Sequence, residues 1–200
     1  MGFEVFRHDA PPRAVADYTF SDEYRVPLME RAPEIDGRVD GEEWKLAAGF
    51  DGLSYTGAME ERRARAFVGA TRTHLYFAIV TELPPDGKLI TEVKAHSDKI
   101  CWDDAIEVWI DPFPGERSGV EYQMLANSAG CDSYQARARG DVKTEDVYGW
   151  KGDYRIANGF HDGYWHCEIE VPVAKLVPGR KATDGRWGIN SLRDRNSDTA

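Results

Sequence analysis

The sequence predicts an all-β fold, an antiparallel two-sheet β-sandwich with one short helix on its N-terminal side, and three observations carry that expectation. The chain has 200 residues of which 42% are hydrophobic, enough for one domain with one ordinary core. After Gly52 its apolar residues come in short alternating or continuous runs and not at helical spacing. Gly, Asp and Pro divide these runs about every ten residues, the rhythm of strands joined by turns.

Taken in order, residues 1–30 carry Pro11, Pro12 and Pro27 and no lasting period, so they read as an irregular arm on a domain formed by residues 31–200. Pro33, Ile35, Asp36 and Gly37 give an extended entry and a turn. Asp40 with Glu43 three positions on has capping-box spacing, which starts a two-turn helix ending near Ala48, with Trp44 plugging one end of the core. Residues 64–70 and 75–81 form a hairpin about the polar turn at Thr71 to His74. Further strands fall at 106–111, 120–126, 132–138, 154–158, 164–171 and 186–192. Trp165, Cys167 and Trp187 alternate with apolar partners and belong to the core. Cys101, Cys131 and Cys167 are too widely spaced for a zinc site or a disulfide framework.

The formal net charge of -10 repels phosphate backbones and anionic lipid, so nucleic acid is not an expected partner. No apolar run approaches the roughly 20 residues that span a bilayer, so membrane insertion is not expected. The start of the chain lacks a signal-like segment; the compartment is extracellular or periplasmic if a signal has been removed, and cytoplasmic otherwise. Nucleophile-elbow, phosphate-loop, dinucleotide-binding and zinc-protease motifs are all missing from the sequence, so catalysis is not signalled.

The most informative stretch runs from Trp102 to Asp111. Ile106, Val108 and Ile110 alternate with Glu107, Trp109 and Asp111, so one face of the strand enters a core while the other shows carboxylates and an indole. An aromatic ring beside hydrogen-bonding groups suits a saccharide, whose C–H faces are apolar and whose rim is hydroxyl. By the same parity Gln123 and His166 are polar-face residues, and if they share a sheet with Glu107 they make one patch edged by Trp102, with Asp104 orienting the loop or helping to bind an ion. Trp150, in a glycine-flanked loop, is a candidate second platform. Asp103 and Asp111, or the turns near Asp36 and Asp40, offer hard oxygen ligands for calcium. Glu107 and Glu168 are the carboxylates that a hydrolase reading would need to converge across strands.

The order Pro33-x-Ile35-Asp36-Gly37-x-x-Asp40-x-x-x-Trp44, then His74 to Ala78, then Trp102 with Asp104 to Asp111, then Gly185-x-Trp187-x-Ile189-Asn190-x-x-Arg193, resembles family 9 carbohydrate-binding modules from about Pro33 to Arg193. The resemblance implies a sandwich related to DOMON domains, attached to or secreted with a glycoside hydrolase, that binds a mono- or oligosaccharide without catalysis. It requires no cofactor and admits a structural calcium ion. Trp102 matches the family's stacking tryptophan and Glu107 its sugar-binding glutamate, whereas Gln123 stands where the family has an arginine. The family's second, closing tryptophan lies beyond the last strand that matches; either another residue such as Trp150 supplies it, or the chain is truncated, or this is a relative that has lost the ordinary ligand. Two alternatives stay open: a protein-interaction or scaffold module that has lost sugar binding, and a haem domain of the DOMON kind, for which Met124 and His166 are the axial candidates although their parity sets them on opposite faces.

Overall fold

A computed structural model describes residues 2–6, 23–51, 54–55, 58–59, 62–147 and 149–194. Thirteen strands appear among them: β1 (Gly2–Phe6), β2 (Glu23–Pro27), β3 (Ala48–Asp51), β4 (Ser54–Tyr55), β5 (Ala58–Met59), β6 (Ala64–Ala70), β7 (His74–Glu82), β8 (Ala105–Asp111), β9 (Gly119–Asn127), β10 (Asp132–Arg139), β11 (Arg155–His161), β12 (Tyr164–Pro172) and β13 (Arg186–Asp194). Two four-residue helices, α1 (Thr144–Val147) and α2 (Val173–Leu176), and a 3-10 helix over Asp98–Trp102 complete them.

The strands form a six-stranded sheet of order β10-β9-β8-β13-β1-β2 and a five-stranded sheet of order β11-β12-β7-β6-β3, with β4 and β5 paired apart. Pairing is antiparallel except between β1 and β2, which run parallel. Alternation explains the sandwich. Ile106, Val108, Ile110 and Met124 from one sheet meet Phe77, Ile79, Trp165, Cys167 and Ile169 from the other, and all are buried. Trp187, also fully buried, donates its indole N–H to Ala182 O at 2.9 Å, so the ring's one polar atom is satisfied in the core. The expected sandwich is therefore the fold observed.

Two local expectations are corrected. Residues 1–30 are not wholly an irregular arm, because β1 and β2 extend the six-stranded sheet and Val26 is fully buried. The short mixed-polarity run of β2 gave no alternation signal; its pairing is tertiary. The expected helix over 40–48 is a run of turns. Asp40 does cap it, accepting Glu42 N–H at 2.7 Å, and one α-turn closes from Trp44 N–H to Asp40 O at 3.1 Å. Glu43, however, bonds the Glu34 amide instead of closing a capping box, and Ala48 is already paired with Val68. Strand pairing ends the helix before a second turn forms.

These turns and the preceding segment cover half of the five-stranded sheet's outer face, where Met29, Ile35 and Trp44 pack on Tyr76 and Ala78 as a second small core. Its polar centre is Glu168, fully buried, whose carboxylate accepts Gly37 N–H (2.8 Å), Trp44 indole N–H (3.0 Å) and Asp36 N–H (3.1 Å). Burial pushes this carboxyl above its usual range, and the three donors oppose that shift. Gly37 has φ +88°, and a Cβ there would lie 2.5 Å from the Asn158 carbonyl, so the turn lies flat on β11 only as glycine.

Candidate functional site

The outer face of the six-stranded sheet is built by register. One row across it reads Leu192, Glu107, Leu125, Ser133, and the next reads Asn190, Trp109, Gln123, Gln135. Glu107 is the hub: one oxygen, Oε1, accepts both the Trp109 indole N–H and the Gln123 amide N–H. Gln123 Oε1 in turn accepts from Gln135 Nε2. Gln123 thus spends its amide on orienting Glu107, and the exposed Gln135 carries the relay outward. A row further on, Arg139 bonds Asp111 at 2.9 Å and Glu121 at 2.5 Å, and the Arg137 guanidinium lies 4.5 Å from the Trp109 ring centroid.

Trp102 stands at the end of the sheet where β8 begins. Ser97 caps its 3-10 helix, accepting Lys99 N–H at 3.2 Å, and Ile100 inserts fully buried beside Ala105 and Leu125. With Ile100 as the anchor, Trp102 is left 73% exposed, the most exposed large hydrophobic among the described residues. No ring among the described residues stacks with it.

Asp103 and Asp104 point inward and hold this corner. Asp103 accepts Glu92 N–H (2.9 Å), Val93 N–H (3.1 Å) and the Asn127 amide (2.9 Å). Asp104 accepts Ile90 N–H at 2.7 Å and pairs with Arg193 at 3.1 Å, both side chains being essentially inaccessible. Asp104 is therefore a strut behind the platform and does not face a ligand. Asp103 and Asp111 do not make a shared calcium site. They flank a seven-residue strand about 20 Å long, and their oxygens serve backbone amides, Asn127 and Arg139. No metal-binding cluster of three or more His, Cys, Asp or Glu occurs among the described residues.

Three other expectations are revised. His166 lies in β12, which belongs to the five-stranded sheet, so it faces away from Glu107 on the far side of the sandwich. Parity gave its face correctly but could not say which sheet owned the strand. Glu168 stands on that same far face, so it cannot converge with Glu107, and Met124 is buried in the core away from His166. Trp150 is a plug: it packs 4.7 Å from Tyr122 and 6.0 Å from Tyr134, and its indole N–H donates to Lys175 O at 2.8 Å.

Asp194 was missed. It pairs with Ala105 and is a diagonal neighbour of Glu107 on the outer face. Burial raises its carboxyl to about 6, with Glu107 and Asp104 adding to the rise and Arg193 opposing it. Asn190 and Gln135 were not expected either, although both show polar-face alternation with Ile189 and Tyr134.

No protein-family model matches the chain, and no curated protein sequence matches it. Solved structures do share its fold. A family 9 carbohydrate-binding module from Caldicellulosiruptor kristjanssonii in complex with cellotriose is similar over 84% of this chain and 75% of that one, at TM-score 0.56 and 14% identity. The structure of a family 9 module from the same organism with glucose gives 83%, 75%, 0.56 and 13%. A candidate carbohydrate-binding protein from Bacteroides uniformis is similar over 84% of this chain and 81% of its own, at TM-score 0.58 and 11% identity.

Proposed function

We propose that this chain is a noncatalytic saccharide-binding module whose site is the outer face of the six-stranded sheet. The exposure of Trp102 carries the reading: a bare indole at the end of a face whose centre is a hydrogen-bonded carboxylate and amide relay. In this reading the ring stacks on a pyranose, Glu107 and Asp194 accept from its hydroxyls, and Gln135 and Asn190 supply amides. The ligands of the structural neighbours, cellotriose and glucose, support a β-glucan end or fragment as the first class to test. One platform contributes about 1 to 2 kcal/mol beyond solvent-competed hydrogen bonds, about 5- to 30-fold in affinity, so overall binding in the micromolar to millimolar range is expected. An attached or co-secreted glycoside hydrolase is the natural context of such a module.

Calorimetric or NMR titration with glucose and cello-oligosaccharides tests this. Trp102→Ala should abolish binding and leave the far-UV spectrum unchanged, because its side chain lies outside the core. A variant that binds as tightly as the parent removes the site, and silence of the parent across a broad sugar panel favours a protein-interaction module.

A further inference from the structure

The opposite face of the molecule carries a hollow of about 850 Å³, within the range of small-molecule sites. It lies on the half of the five-stranded sheet that the Trp44 turns leave uncovered. Phe67 and Val80 form an apolar floor, set by the outward parity of β6 and β7, and one edge of Trp44 makes a wall. Around the rim stand Lys45, paired with Glu42 at 3.1 Å, Arg65, paired with Asp51, and Arg62 and Arg63.

The polar groups are arranged and directional. Asp51 holds Arg65 at 2.5 Å, and the Arg65 guanidinium lies 5.8 Å from the Phe67 ring centroid. Arg63 gives its backbone N–H to Glu82 at 3.0 Å, while its guanidinium has no ion-pair partner among the described residues. His166 accepts Val39 N–H on Nδ1 at 3.1 Å, which places its proton on Nε2 and presents a neutral donor at the hollow. Tyr164 lies beside it. An apolar floor with a neutral donor and a cationic rim fits a ring with one apolar face and a carboxylate substituent.

We infer that this hollow is a second ligand site, independent of Trp102, for an acidic saccharide of the uronic acid class. The carboxylate meets Arg63, His166 donates to a ring hydroxyl, and Phe67 lies under the ring.

Titration of the full chain with glucuronic acid, glucose and acetate tests it, using the parent, Trp102→Ala and Arg63→Gln. Arg63 is surface-exposed, so its variant keeps the fold. Glucuronic acid should bind the parent and Trp102→Ala equally, lose about tenfold in Arg63→Gln, and weaken with added salt. Loss of glucuronic acid binding in Trp102→Ala but not in Arg63→Gln overturns the site, as does no binding at all. Acetate binding as tightly as glucuronic acid overturns its saccharide character. Failure of glucose to bind at Trp102 leaves this result standing, so the two sites are judged separately.

Discussion

Replacing Asp104 by Asn tests how the platform is held. Asp104 and Arg193 are 0% and 1% exposed and 3.1 Å apart, and Arg193 lies 4.8 Å from the Trp165 ring centroid deep in the sandwich. An amide at position 104 cancels one charge of this buried pair, a loss of about 3 to 5 kcal/mol. Against a total stability of about 5 to 15 kcal/mol for a single domain, that is about a fifth or more of the whole. In a domain of this length it lowers Tm by about 10 °C. Removing both charges, as Asp104→Leu with Arg193→Met, relieves both desolvation costs and takes the acceptor from the Ile90 amide, about 1 to 2 kcal/mol. Urea unfolding followed by tryptophan fluorescence reads all three proteins. A single variant that loses less than about 1 kcal/mol, or a double variant worse than the single, would refute the reasoning.

The other predictions concern separate corners of the molecule. Glu168→Ala strands two buried donors and a part-buried third and should cost about 3 kcal/mol in urea unfolding, with the Gly37 amide exchanging faster; an unchanged midpoint counts against the anchor. Trp150→Ala should cost about 2 to 3 kcal/mol and leave saccharide affinity unaltered, and a loss of affinity would return Trp150 to the binding face. Asp194 has its carboxyl raised from 3.8 to about 6, so the folded state holds the proton more tightly than the unfolded chain does. Its favourable contribution is full below 3.8 and lost as pH climbs through about 6. Asp194→Asn should therefore raise Tm at about pH 7.5 and change it little at about pH 4; equal shifts at both would contradict the linkage.

Much of the architecture was legible because it rests on local alternation. Ile106, Val108 and Ile110 declare their face by period alone, and so do Trp165, Cys167 and Ile169; the core follows once both sheets turn those faces inward. Trp102 was legible for a different reason, since a tryptophan just outside a strand has no periodic partner to bury it. Sheet membership was not legible. His166 and Glu107 each occupy the polar face of a strand, but which strands are neighbours depends on crossovers of many residues, and the crossovers put the two on opposite sides of the molecule.

The same division holds for the acids and aromatics. Asp103 and Asp104 look like surface ligands in the sequence and are buried struts in the fold, because their acceptors meet amides from residues 90–93, Asn127 and Arg193. Trp150 looks like a free platform and fills the gap beside Tyr122. Spacing within one strand or turn is enough to set each strand's buried face and the exposed indole. Which polar residues stand together follows from contacts between segments far apart in the chain, and a side chain's alternation carries no information about its distant neighbours.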